Sequence, residues 1–439
     1  MIEKEQKDLA CWAMDQCVKR GCQGVRISLY NGTNTEFEIR NTQVDKLLQS
    51  SENQLVLNLF KENRFGTFST NRMDKKELSR FMDRAIDSIG FLAPDVCRQL
   101  PNPDRYFKGQ QSDLNVYDAD IVRMSSDEKM QAAFAVSEEI LDTDARILSV
   151  QSSYSDGESF KYSVTNNGFE GETTHSYFSL TAQVSVQGED GAKPEAFWYD
   201  QALFWKKLER TGIGSTALKK ALERIGQKPA PSGTYPMIVD NMSIGRLLAP
   251  VLNALNGGAL QQKNSFLLDK IGTQIFSNLV TIVDRPHIQG GFGARYFDNE
   301  GVETKNRSII EQGVLQTYFI DTYNGLKMGV EPTISSPSQL IFDHGKQSMA
   351  QMVQSLEKGI LVTGFNGGNC NSSSGDFSFG VEGFLIENGI CVQPISEMNI
   401  TGNMLQLWSQ VAEIGNDPKM NSAYQIPSVM FDGVGFSGI

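Results

Sequence analysis

The sequence predicts an α+β protein of antiparallel or mixed sheets with flanking helices. A helix–meander–helix order fills the N-terminal half twice, and a glycine-rich, strand-rich C-terminal domain follows. Three observations predict this. Short β-rich runs alternate with amphipathic stretches of helical period. Asn, Gly and Pro separate those runs at turn spacing. No βαβ rhythm or dinucleotide fingerprint occurs, so a doubly wound parallel sheet is not expected.

A first helix is expected from about Glu3 to Arg20, with Gly21 placed as its C-terminal cap. Strands follow at Val25–Tyr30, Glu36–Arg40, Leu55–Phe60 and Phe65–Ser69, with a turn at Asn31-Gly32. Asp74 and Glu77 have capping-box spacing and open a second helix. Its residues Leu78, Phe81, Met82, Ala85, Ile86 and Ile89 share one face. Residues 1–92 therefore form a first α+β unit, and the Pro-containing stretch within 93–124 reads as a linker.

The same order returns over 125–228. Ser126–Leu141 is expected to be helical, Ala145–Tyr154, Phe160–Thr165 and Tyr177–Val186 to be strands, and Ser215–Ile225 to be a closing helix. Asn167-Gly168 supplies a hairpin turn. We read this second unit as a duplication of the first. Pro229, Pro231 and Gly233 mark the next boundary, and 229–439 forms the last unit. Two hairpins are expected there, turning at Glu311-Gln312-Gly313 and at Glu387-Asn388-Gly389.

Lys and Arg total 40 against 52 Asp and Glu, a formal charge of -12, which gives no electrostatic footprint for a nucleic-acid backbone. Apolar runs fall short of the roughly 18 residues a membrane helix needs, and the charged start of the chain is unlike a signal peptide. Cys11, Cys17, Cys22, Cys97, Cys370 and Cys391 form no CxxC pair or disulfide framework. A cytoplasmic location is the expectation.

The three histidines, His175, His287 and His344, are far apart, and the sequence contains neither HExxH nor HExxxH. His287, in Asp284-Arg285-Pro286-His287, is the one to watch. Cys370 follows Gly364-Phe365-Asn366-Gly367-Gly368-Asn369. As a nucleophile it would need His287 or His344 within hydrogen-bond reach; otherwise it is a small packed residue. The run from Gly364 to Gly380 lacks the Lys-Ser ending of a phosphate-binding loop. Its bare residues would let a peptide backbone come close, so Gly364, Asn366, Gly367, Gly368 and Asn369 are candidate substrate contacts. A long hairpin closed by turn hydrogen bonds is the alternative. The acid pairs Asp156 with Glu158 and Glu170 with Glu172, and Glu189-Asp190, lie near expected turns and read as solvated.

Several ordered motifs resemble the TldD/PmbA family. They are Ile244-Gly245-Arg246-Leu247-Leu248 with Asn256-Gly257-Gly258, Lys263-Asn264-Ser265-Phe266-Leu267 and Phe297-Asp298-Asn299-Glu300-Gly301-Val302. Tyr323–Gly329, the Gly364–Gly380 run, Gly383–Gly389 and Gly415-Asn416-Asp417 continue the likeness, which covers nearly the whole chain. The resemblance implies a zinc peptidase helix, HExxxH, with a further cysteine ligand toward the C-terminus. In the matching helix Ala249 and Ala254 stand at the histidine positions and Pro250 at the glutamate position, and the stretch from Asn421 to Val429 holds no cysteine. Alanine cannot ligate zinc, and proline cannot act as a base.

That departure is similar to the PmbA (TldE) type, which carries an older description as a candidate modulator of DNA gyrase. The resemblance therefore implies a chain without metal, cofactor or catalytic residues of its own. It would assist a TldD-type zinc peptidase subunit in processing unfolded peptides, or form a homodimer when alone. Two alternatives stay open: a cysteine-dependent hydrolase using Cys370, and a stand-alone peptide-binding scaffold.

Overall fold

The computed structural model describes residues 2–438. In the N-terminal half, α1 (Lys4–Lys19) precedes β1 (Gly24–Arg40), β2 (Gln43–Lys61), β3 (Arg64–Thr70) and α2 (Lys75–Ile89). The same order returns as α3 (Ser126–Glu138), β4 (Ile147–Thr165), β5 (Glu170–Val186), β6 (Glu195–Ala202) and α4 (Ile213–Glu223). The duplicated helix–meander–helix order is thus present. The two meanders join into one six-stranded sheet, β3-β2-β1-β4-β5-β6, with β1 and β4 antiparallel along the seam.

Alternation along these strands sorts their faces. Val25, Ile27 and Leu29 of β1 enter the core under α1 and α2, while Phe37 and Ile39, on the same face, enter the core under α3 and α4. Both helix pairs therefore cover one face, at opposite ends of the long strands. The other face turns Arg26 and Lys161 toward the C-terminal domain, where they meet Asn299 and Glu300.

Three local expectations are corrected. Asn31-Gly32 is no turn: β1 runs straight through it, paired with β2 and β4 on either side. Gly32 is bare because a β-carbon there would lie 2.9 Å from the carbonyl oxygen of Glu158. The acid Asp156 is not solvated either. It sits buried in the middle of β4, ion-paired with Lys129 at 2.6 Å and accepting from the Tyr154 hydroxyl at 2.6 Å. Asp74 does cap α2, accepting from the N–H groups of Lys76 and Glu77, whereas the Glu77 carboxylate turns to Arg72 and Arg80.

The C-terminal region continues with β7 (Gly233–Val239), α5 (Gly245–Ala254), α6 (Gly257–Gln261), β8 (Ile282–Asp284), β9 (Arg307–Glu311) and β10 (Val314–Leu315). Then come α7 (Thr322–Met328), β11 (Leu340–Phe342), α8 (Met349–Gln354), β12 (Lys358–Cys370), β13 (Asp376–Glu387) and β14 (Ile390–Asn403). The chain closes with α9 (Met404–Ser409), β15 (Val411–Ile414), β16 (Tyr424–Gln425) and β17 (Val429–Gly438). One sheet runs β14-β13-β12-β7-β17-β15, and a further β14–β17 pairing curls it toward closure. A smaller sheet, β10-β9-β8-β11-β16, lies beside it. Both contain a parallel pair, β12–β7 and β11–β16, so the sheets are mixed. The two expected hairpins form, with Gln312-Gly313 and Asn388-Gly389 all at positive φ, as a two-residue turn of this kind requires.

The stretch between the two N-terminal units is pinned to the C-terminal domain. Asp95 accepts from the Tyr323 hydroxyl and pairs with Lys327. Tyr106, Phe169 and Phe297 form an aromatic cluster where linker, N-terminal sheet and C-terminal domain meet.

Candidate functional site

Helix α5 is the element the sequence singles out. Asp240 accepts from the Ser243 N–H in the turn that leads into it, and Leu247, Leu248, Val251 and Ala254 form the buried face. Trp408 fixes that face from inside, donating from its indole to the carbonyl of Leu247 at 3.3 Å. Arg246, Ala249 and Asn253 lie on the exposed face. Pro250 stands inside the helix and lacks the N–H that would donate to the carbonyl of Arg246.

Opposite this exposed face lies the β12–β13 hairpin, which carries the candidate glycine run. On one side β12 pairs with β13 as far as Cys370; on the other it pairs with β7 only from Ile360 to Val362. From Gly364 onward the second edge is left to α5. Arg246 reaches across, donating to the carbonyl of Gly368 at 2.9 Å and lying 5.0 Å from the Phe379 ring.

Within the run, Gly367 and Gly368 form a bulge, both at positive φ. A β-carbon on Gly367 would meet nothing within 4 Å, whereas one on Gly368 would lie 2.0 Å from the carbonyl oxygen of Ser378. The hairpin itself therefore keeps Gly368 bare, and of the two only Gly367 has open space where a β-carbon would stand. Gly364 faces Glu382, which pairs with Arg224 of the N-terminal half. Asn366 lies against Gly380 with its carboxamide, and Asn366 through Asn369 are exposed. The far tip is held by Lys263–Leu267, through Phe266 donating to the carbonyl of Ser372 and Asn264 bonding Ser373.

Cys370 lines a hollow with Asn369, Asn371, Asp376, Phe377 and Ser378, which brings it no histidine to draw off the thiol proton. Partial burial and the nearby Asp376 carboxylate push its thiol upward, away from the reactive thiolate. His287 bonds Thr304 at 3.1 Å and lies 5.1 Å from the Tyr296 ring, tilted to it by 36°, and His344 is exposed. His175 lies in the N-terminal sheet, its imidazole held toward neutrality by burial. Among the described residues no three His, Cys, Asp or Glu side chains converge as metal ligands would.

The donor set at α5 does not fit zinc. Ala249 presents only a methyl group, Pro250 offers no proton acceptor, and Ala254 is 1% exposed among apolar side chains. The other motif stretches serve the frame. Asp298 accepts from the N–H groups of Glu300 and Val302, and Glu300 accepts from Thr322. Asp417 bonds the backbone and hydroxyl of Ser428. Sequence reasoning missed Arg246 as the link between helix and hairpin, although its place one turn before Ala249 is a readable signal.

Comparison with known proteins matches three consecutive family descriptions. The PmbA/TldA metallopeptidase domain 1 matches residues 25–89, the central domain 120–225 and the C-terminal domain 232–438. The metalloprotease PmbA of Escherichia coli O157:H7 is 26% identical over 423 residues, covering 94% of this chain and 92% of that one. A Bacteroides thetaiotaomicron structure described as a candidate modulator of DNA gyrase is 52% identical, covers 100% of both chains and superposes with a TM-score of 0.98. TldE from Thermococcus kodakarensis, 19% identical over 98% of this chain and 99% of that one, shares the fold with a TM-score of 0.83. The chain belongs to the PmbA/TldD metallopeptidase family.

Proposed function

We propose that this chain is a PmbA/TldE-type subunit without hydrolytic chemistry of its own, which assists a TldD-type zinc peptidase in processing unfolded peptides. The observation that carries this reading is the donor chemistry of α5. The positions that resemble two zinc ligands and a base are Ala249, Ala254 and Pro250, and none can bind a metal or move a proton. The exposed Asn366–Asn369 edge beside the α5 face supports a role in holding extended peptide there. Gly364, Asn366, Gly367, Gly368 and Asn369 are its proposed substrate contacts, with Gly368 acting through hairpin shape.

The test joins two measurements. Elemental analysis of the gently purified chain is expected to find no stoichiometric zinc, and cleavage of an unfolded peptide is expected only once a TldD-type chain is added. One tightly held zinc per chain, or cleavage by this chain alone, overturns the reading. Activity abolished by Cys370→Ala would favour the cysteine hydrolase instead.

A further inference from the structure

The N-terminal sheet has an incompletely covered edge beside the C-terminal domain. Strand β6 pairs with β5 only from Phe178 to Ser185, which leaves Glu170–Tyr177 with a strand neighbour on the β4 side alone. At one end of this open stretch the Ser176 N–H donates to the carbonyl of Val116 at 3.1 Å. Alternate residues of an antiparallel strand direct their N–H and C=O groups to the same edge. The backbone of Thr174 and Glu172 thus faces the same way as that of Ser176.

A cavity of about 720 Å³ lies along this edge, between the sheet and the segment Phe292–Asn299. That volume is in the range of small-ligand sites, roughly 300–1,000 Å³. Phe160, Leu114 and Phe292 give it apolar wall. Its charge is uneven. Lys161 reaches Asn299 at 3.2 Å and lies 5.4 Å from the Tyr30 ring, and among the described residues no carboxylate comes within ion-pairing distance of it. Arg26 and Arg295 add positive charge nearby, while Asp298 is occupied by backbone N–H groups and Glu172 pairs with Lys7. Burial and the two arginines lower the lysine to about 8, so an incoming anion would relieve a strained charge.

We propose that this cavity binds the C-terminal end of an extended peptide, with the peptide backbone pairing to the β5 edge at Glu172 and Thr174 and its carboxylate held by Lys161. A free strand edge supplies backbone recognition, and a lone ammonium beside apolar wall supplies recognition of a chain end. The ligand class rests on the peptide-handling reading, but binding here needs no partner chain.

The probe is the tripeptide acetyl-Ala-Ala-Phe, as free acid and as amide, titrated calorimetrically into the full chain. The free acid is expected to bind saturably at one site, at least tenfold more tightly than the amide. Lys161→Met is expected to remove that difference without any loss of thermal stability, and Lys161→Arg to keep it. Thr174→Pro removes an edge N–H at a place where proline is tolerated, and should weaken both peptides. Equal affinity for acid and amide, unaltered binding by Lys161→Met, or no binding at millimolar peptide overturns the carboxylate site. Wild-type affinity in a folded Thr174→Pro overturns the backbone pairing. Absence of this binding in the wild-type chain, with partner-dependent cleavage intact, removes the cavity assignment and leaves the subunit reading standing.

Discussion

The guanidinium of Arg246 donates to the carbonyl oxygen of Gly368 at 2.9 Å, tying the exposed face of α5 to the bulge of the β12–β13 hairpin. This bond joins α5 to the exposed hairpin edge that the proposed function assigns to peptide. Arg246→Ala is expected to leave the melting temperature within a few degrees of wild type, because the side chain is exposed. Partner-dependent peptide cleavage should fall severalfold as the hairpin loosens. Melting curves and a two-component assay, read together, separate this from general damage.

The two glycines of the bulge should respond differently to alanine. Gly367 has open space but a positive φ, so Gly367→Ala is expected to cost about 1–2 kcal/mol. Gly368→Ala adds a β-carbon 2.0 Å from the carbonyl of Ser378, so its cost should be larger, with the hairpin displaced. Chemical denaturation of both variants is the measurement. Equal stability would mean that the bulge re-forms freely around either side chain.

Asp156 and Lys129 form a buried ion pair beneath α3. Removing one partner strands the other, so Asp156→Ala or Lys129→Ala is expected to destabilise by about 3–5 kcal/mol. An apolar pair of similar volume, Asp156→Leu with Lys129→Met, should recover much of that loss. A double-mutant cycle in urea tests the coupling.

Lys161, lowered to about 8 by burial and then by Arg26 and Arg295, gives a pH dependence with a fixed sign. Below that value it is charged and holds the peptide carboxylate; above it the ammonium is lost. Asp298 opposes the two arginines, and His175, kept toward neutrality, adds no charge at neutral pH. Peptide affinity should be level near neutrality and fall by about tenfold per pH unit well above the lysine midpoint, which binding itself raises. For folding the same group acts oppositely. Between about 8 and the ordinary lysine value the unfolded chain holds more protons, so its contribution to stability rises with pH.

Much of the fold could be read from the chain because its signals are local. Asn388-Gly389 and Gln312-Gly313 make their turns, and the α2 positions Leu78, Met82, Ala85, Ile86 and Ile89 are buried as their spacing predicts. Asn31-Gly32 misled because strands on both sides hold β1 straight, and one of them, β4, lies more than a hundred residues away. Asp156 misled for the same reason: its partner Lys129 comes from a helix, with no marker near either residue. At the site, the positions of α5 carried their message in residue type. The cavity at Lys161 was not legible, since its walls come from β4, β5 and Phe292–Asn299; the Phe297-Asp298-Asn299 motif lies among them but carries no sign of the strand edge it faces.

The seam between β1 and β4 also limits how the chain can be divided. Register runs unbroken from Arg26 with Thr165 to Arg40 with Gln151, so each N-terminal unit completes the other's sheet. Separated at the proposed 92 and 125 boundaries, each piece would bare a long strand edge with every second backbone group unpaired. Such edges seek new strands, and self-association into β-rich aggregates is their usual fate. Proteolytic nicking between the units should therefore leave two fragments that stay together through gel filtration, whereas genes encoding either fragment alone should yield insoluble protein. The repeated helix–meander–helix order is thus expected to fold as one obligate unit, since its two halves share the β1–β4 seam.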